Sequence, residues 1–330
     1  MFGKRSIRYC GALLAGWLCC ASALADYAAH PRALSLIEEL VSELGFDRRE
    51  LTQLLAAAER KQSILDAMSR PAEKTKPWHE YRRIFLTARR EREGIAFLRE
   101  HRATLARAQA QTGVPAELIV AVIGVETYYG RIAGSYLVID ALSTLAFDYP
   151  ARAAFFSREL EQFLLLAREQ GLDPLTLKGS YAGAMGYGQF MPSSYRAYAV
   201  DFDDDGVADI WNNPVDAIGS VANYLARHGW RAGEPVVSPA DAAVEPPQDL
   251  FSGGLKPQRA VREFAAAGLR PQHPVDPAAA ATALRFELED GYEYWLGLHN
   301  LYVITRYNHS AMYAMSVYQL SQRIAAGARG

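Results

Sequence analysis

Apolar residues recur at helical spacing along most of this chain, and the places where the spacing fails divide it. Leu34, Ile37, Leu40, Val41 and Leu44 share one helix face, which Gly45 ends. Leu51, Leu54, Leu55 and Ala58 repeat the pattern behind Asp47, whose short carboxylate suits a helix N-cap. Residues 33–70 therefore predict short helices, and Pro71 to Pro77 a polar break. From Tyr81 to Gln111 the spacing predicts a long helical region with eight arginines between Arg82 and Arg107. Such a run reads as a solvated face, or as attraction to an anionic polymer or membrane surface. Phe155, Phe156, Leu160, Phe163, Leu164 and Ala167 set an amphipathic helix between Pro150 and Gly171. Asn308 to Ile324 predicts a last helix that returns to the core.

Two stretches depart from this pattern. Leu118 to Val125 is apolar almost without a break, behind the punctuation Thr112-Gly113-Val114-Pro115. Pro115, Ala116 and Glu117 favour a helix start, while the Val and Ile content suits a buried strand equally, so periodicity does not decide. As a helix the segment would be apolar on every side and central in the core. Residues 232–282 hold eight prolines, and Pro235-Val236-Val237, Ala283 to Leu288 and Tyr292 to Leu296 read as short strands near them. At 330 residues the chain has room for two or three subdomains. The expectation is a mainly α (α+β) protein: an N-terminal helical region over 26–110, a core over 111–230, a small inserted α/β lobe over 231–300, and a segment over 301–330 that rejoins the core.

Composition changes the picture at the N-terminus. Lys4, Arg5 and Arg8, then apolar Gly11 to Cys20, then Ala23-Leu24-Ala25 predict a secretory signal peptide over 1–25. The apolar stretch is short for a bilayer span. All three cysteines (Cys10, Cys19, Cys20) lie in that leader, so the mature chain is expected to lack disulfides and to be a soluble periplasmic protein. A lipid anchor on a leader cysteine finds poor support in the residues before Cys19 and Cys20. Losing the leader's three basic residues moves the formal charge from −2 to −5, which gives no sign of a nucleic-acid partner.

The chemistry concentrates in two motifs. Glu126 closes the apolar run and is followed by Thr127-Tyr128-Tyr129-Gly130-Arg131. A carboxyl there faces an apolar interior on one side, and burial favours its protonated form, as a proton donor near neutral pH requires. A helix C-terminus would add to that effect. The competing reading is a structural carboxylate paired with an arginine such as Arg131. The second motif runs from Lys178 to Tyr195, with glycines at 179, 183, 186 and 188 that permit tight turns and close approach to a ligand. Ser180, Gln189 and several tyrosines offer neutral hydrogen-bonding groups and flat faces, as a sugar requires.

With Asp216 to Tyr224 and Arg306-Tyr307-Asn308-His309-Ser310, these motifs closely resemble the lytic murein transglycosylase B family over essentially the whole mature chain. The resemblance implies a lysozyme-like helical core with a deep cleft, an additional N-terminal α domain and a small β-containing lobe. It implies non-hydrolytic cleavage of the β-1,4 bond between N-acetylmuramic acid and N-acetylglucosamine, leaving 1,6-anhydromuramyl ends. Glu126 would act as acid and then as base, with no catalytic cofactor. Carried over by motif, Ser180 and Gln189 would hold the sugar or the carboxyl, and Asn308 would contact either. Tyr81, Tyr224, Tyr307 and Tyr313 would line the cleft. Asn308 also reads as an N-cap of the last helix, and buried tyrosines are often only core.

Asp201, Asp203, Asp205 and Asp209, with Gly206 between them, follow the calcium-loop pattern, and Val207 would offer its carbonyl. The usual glutamate at position 12 is Asn212, and the resemblance suggests a longer loop, 201–216, closed by Asp216. The alternative is a solvated acidic turn. Peptidoglycan glycan strands are the expected partner of a monomer, with outer-membrane and cell-wall synthesis or division proteins as further candidates. Two other functions stay open: a muramidase that adds water, for which Asp140 or Asp148 could be the second acid, and a catalytically silent peptidoglycan-binding protein.

Overall fold

The computed structural model describes residues 27–69 and 76–329. The signal peptide expected over 1–25 and most of the polar break after Pro71 lie outside them. The helical spacing of 33–70 resolves into α1 (Pro31–Leu44), α2 (Arg48–Ala57) and α3 (Gln62–Met68). Gly45, with a left-handed φ of 65°, ends α1, and Asp47 caps α2 by accepting the Glu50 N–H at 2.8 Å. The arginine-rich region is three helices rather than one long one: α4 (Trp78–Phe85), α5 (Ala88–Glu100) and α6 (Arg102–Thr112). Thr87 caps α5 through the Arg90 N–H at 3.2 Å, and His101 divides α5 from α6.

The apolar run is a helix, α7 (Ala116–Thr127), with every residue from Leu118 to Val125 buried. Burial on all sides is possible because α5, α6 and two helices later in the chain, Pro214–Arg227 and Ala311–Arg329, surround it. After it come β1 (Tyr136–Leu137), α8 (Val138–Asp148), α9 (Ala153–Gln170), β2 (Lys178–Gly179), α10 (Pro192–Tyr198) and α11 (Pro214–Arg227). β1 and β2 form a two-stranded ladder that carries the chain into the glycine-rich motif.

The proline-rich region holds β3 (Val237–Ala242), β4 (Arg259–Ala260), α12 (Val261–Ala266), β5 (Leu269–Pro271), β6 (Ala280–Glu287) and β7 (Tyr292–Gly297). They form an antiparallel sheet in the order β4-β6-β7-β3-β5. The strand expected at Pro235 starts only at Val237. β4 and β5 escaped the periodicity because two or three residues are too few to show one, and the six residues of α12 span less than two turns. The lobe has its own small core, including Leu250, Val261, Phe264, Leu269 and Leu296. Its two ends meet at the buried Asn300. That side chain accepts the Arg231 N–H at 2.9 Å and donates to the carbonyls of Arg231 and Glu234 at 2.8 and 2.9 Å. Asn300 belongs to α13 (His299–Thr305), from which the chain returns to the main core as α14 (Ala311–Arg329).

Candidate active site

α7 ends in a reversal with a demanding backbone. Tyr128, Tyr129 and Gly130 have φ of 54°, 61° and 83°, and a left-handed conformation is uncommon for bulky residues. Tertiary contacts hold it. The Tyr129 hydroxyl donates to the Arg90 carbonyl at 2.7 Å, and its ring packs on the bare backbone of Gly124. The Tyr128 ring lies beneath the Arg90 guanidinium at 4.7 Å. Buried Thr127 donates to the Tyr187 carbonyl at 2.8 Å and accepts the Gly130 N–H at 3.0 Å, so it pins the reversal to the glycine-rich loop.

Glu126, half-buried, sits on the last turn of α7. Its Oε1 accepts a hydrogen bond from the Tyr313 hydroxyl at 2.5 Å. Tyr313 is 2% exposed, and its phenol is raised well above the usual tyrosine range, first by burial and then by the charge of Glu126. Tyr307 is raised for the same two reasons and donates to the Gly188 carbonyl at 2.6 Å. Tyr224 donates to the Arg306 carbonyl at 2.5 Å, and burial pushes its phenol up to about 12. Its ring stands 4.6 Å from Tyr307 and 5.6 Å from Phe190. Tyr81, buried on α4, packs 5.3 Å from Phe85, and its charged form would raise Tyr313 further. The phenols of Tyr313, Tyr307 and Tyr224 therefore stay protonated across neutral pH, as donors.

Arg131, the cation that could have claimed Glu126, binds Glu93 at 2.8 Å. Asp140 accepts the Glu59 N–H at 2.8 Å and lies 3.5 Å from the Lys61 ammonium. Asp148 accepts the Tyr27 hydroxyl at 2.6 Å and faces Arg60 at 3.3 Å. Both acids fasten α8 to the N-terminal helices.

In the glycine-rich loop the Ser180 oxygen accepts the N–H groups of Ala182 and Ala184 at 3.3 and 3.1 Å. Gln189, itself left-handed at φ 50°, donates its amide to the carbonyls of Ala133 and Gly186 at 3.0 and 3.1 Å. Those bonds leave the Ser180 hydroxyl proton and the Gln189 Oε1. Asn308 is half-buried just before α14, but Ser310 is the residue that caps it, accepting the Tyr313 N–H at 3.3 Å. The N-cap reading of Asn308 fails because the helix starts at Ala311, two residues later than that cap requires. Thr127, Tyr129, Tyr187 and Phe190 also shape the site and were not singled out from sequence. The one available signal was Thr127 three residues before Gly130, directly after the acid.

At the acidic loop, oxygens of Asp201, Asp203 and Asp205 lie within 4.8 Å of one another, a spacing that fits one hard cation. The loop turns through Gly206 at φ 97°, whose N–H bonds Asp201 at 2.7 Å. Val207 is 40% exposed, and its carbonyl takes the Asp209 N–H at 3.1 Å. The Asp209 carboxylate turns instead to the N–H groups of Trp211 and Asn212, each at 2.9 Å. Asp216 is buried beneath the loop and accepts the N–H groups of Phe202 and Asp209 at 2.7 and 2.8 Å. Burial raises its pKa, and the charges of Asp203 and Asp201 add to the rise against those two N–H groups.

A helical core with a half-buried carboxyl held by one buried tyrosine donor suits acid–base cleavage of a polymer, and its relatives place it in the lysozyme-like class of polysaccharide-cleaving enzymes. Residues 29–322 match the family described as the transglycosylase SLT domain. Over 309 residues the chain is 48% identical to the membrane-bound lytic murein transglycosylase B of Escherichia coli K12, covering 91% of this chain and 84% of that protein. Its fold matches the catenated lytic transglycosylase SltB1 of Pseudomonas aeruginosa with a TM-score of 0.88 at 54% identity, over 92% of this chain and all of that one. It also matches the Escherichia coli lytic transglycosylase Slt35 solved in complex with calcium, with a TM-score of 0.84 at 47% identity, over 92% and 96% of the two chains. The chain belongs to this family of lytic transglycosylases, which are carbon–oxygen lyases.

Proposed function

We propose that this chain cuts the bond between N-acetylmuramic acid and N-acetylglucosamine in peptidoglycan and leaves a 1,6-anhydromuramyl end. The observation that carries the reading is Glu126, a half-buried carboxyl at the end of a buried helix, held by the Tyr313 hydroxyl at 2.5 Å. Protonated Glu126 gives its proton to the glycosidic oxygen as the bond to C1 breaks. The carboxylate then takes the proton of the muramic C6 hydroxyl while that oxygen bonds to C1. The acid is restored, no water is used, and the Tyr313 phenol stabilises the carboxylate between the two transfers.

Ser180, Gln189 and Asn308 are assigned to the sugar or the carboxyl, while Tyr81, Tyr224 and Tyr307 build the wall behind them. Hydrolysis with two carboxyl groups is less well supported, because Asp140 and Asp148 are both engaged in tying α8 to the N-terminal helices. The murein activity in the name of the Escherichia coli relative supports the substrate, and its membrane-bound setting supports a periplasmic location. The calcium complex of Slt35 supports a structural Ca²⁺ here, held by Asp201, Asp203 and Asp205, with the Val207 carbonyl, Asp209 and Asp216 completing or bracing the loop.

Product mass tests the reaction, since anhydro ends are lighter by one water than hydrolysed ends. Glu126→Gln should abolish turnover while leaving folding and glycan binding intact. Hydrolysed ends, or activity retained in that variant, would overturn the mechanism.

A further inference from the structure

Arg90 is the one buried cation among the described residues, 9% exposed on α5. It makes no ion pair there, because Glu93, three residues along the same helix, is taken by Arg89 at 3.0 Å and Arg131 at 2.8 Å. Its Nε is buried with no hydrogen-bond partner. Taking a cation out of water without a carboxylate costs stability, and only neighbouring rings and carbonyls can offset that. Three groups do so here. The guanidinium faces the Tyr128 ring at 4.7 Å and the Phe85 ring at 5.3 Å, and its Nη1 donates to the Ile84 carbonyl.

Those three groups come from two segments that meet at the acid. Tyr128 opens the left-handed reversal two residues after Glu126. Ile84 and Phe85 end α4, which packs against α14 and carries Tyr81 toward Tyr313, the donor to Glu126. α4 has eight residues and no side-chain N-cap, so contacts with its neighbours must fix where it lies. A planar, delocalised cation can stack on rings and donate in its own plane at once, which a lysine ammonium cannot. The Arg90 side chain thus ties the end of α7 to the end of α4. Its own carbonyl accepts the Tyr129 hydroxyl at 2.7 Å, a bond that survives replacement of the side chain.

We propose that Arg90 is a positioning residue of the reaction: its guanidinium, clamped between Tyr128 and the end of α4, sets Glu126 in register with the tyrosine cluster. The inference rests on the proposed reaction and adds to it a residue that acts through its neighbours. The test measures kcat, KM and Tm on peptidoglycan for Arg90→Met, Tyr128→Leu and the double variant. Methionine keeps an unbranched apolar stem without the charge, and leucine removes the ring beneath it. Each single variant should lose roughly tenfold in kcat, as a slightly displaced acid would, with KM within about twofold. The double variant should lose no more than either single one, because both remove the same contact. Multiplying losses, a change confined to KM, or an unchanged kcat would overturn the role. Should Arg90→Met not fold, half-buried Tyr128 still gives the answer, since Tyr128→Leu must then lower kcat at an unchanged Tm. Bonds cut are counted whatever end they leave. Hydrolysed ends would therefore overturn the proposed reaction alone, and a flat kcat across the variants the role of Arg90 alone.

Discussion

Tyr313 and Glu126 stand 187 residues apart in sequence and are joined by one hydrogen bond. Glu126 was legible because a carboxyl at the end of an apolar run is costly unless it is used. Tyr313 was named only through the family resemblance, as a residue lining the cleft, since no local pattern says which tyrosine of α14 turns inward. Tyr313→Phe keeps the ring and removes the donor. A hydrogen bond to a charged group contributes about 1.5–3 kcal/mol, so kcat should fall roughly 10- to 100-fold with little change in Tm. Steady-state kinetics beside a melting curve checks this, and an unchanged kcat would place the phenol outside the reaction. His228 gives a second test. Its ring stacks on Tyr224 at 4.1 Å, and burial, helped by the charge of Arg306, lowers its pKa from 6.5. The unfolded chain then takes up this proton first as pH falls. The stability that neutral His228 contributes is complete above about pH 6.5 and is lost as pH drops through its lower folded value. Replacement by Gln should flatten that decline in chemical unfolding measured at successive pH values.

Among the elements, α7 was ambiguous on paper and is decided by its neighbours, because only helices packed on all sides let an unbroken apolar segment be helical. The left-handed reversal after it was invisible for the opposite reason: Tyr128 and Tyr129 disfavour that conformation alone, and contacts from α5 impose it. Gly124 shows the close fit. A methyl group there would lie 2.6 Å from the Tyr129 ring, whose hydroxyl is already fixed to Arg90. Alanine ordinarily stabilises a helix interior by about 1 kcal/mol over glycine. Here the overlap should outweigh that, and Gly124→Ala should lose about 1–3 kcal/mol in urea unfolding, with activity falling as the acid moves. The division of Tyr81 to Gln111 into three helices was hidden because Thr87 and His101 interrupt the chain without glycine or proline.

For the molecule as a whole, the helical core and the lobe were both foreseen, the core from periodicity and the lobe from its prolines. The acidic loop was readable as a cation pattern, yet the structure gathers only three of its carboxylates into a cluster and gives Asp209 and Asp216 to backbone N–H groups. If calcium fills the cluster, EDTA should lower Tm and added calcium should restore it. A ligand at one hundred times its Kd stabilises by about 2.7 kcal/mol, a shift that calorimetry resolves; no shift in either direction would leave the loop an acidic turn.

Asn300 has a consequence for how such a molecule can diverge. Because one amide holds together the points where the chain leaves the helices and comes back, the intervening segment can lengthen, shorten or change its sequence at only a small closure cost. New specificity can thus arise there while the proton-transferring residue and its surroundings keep their positions.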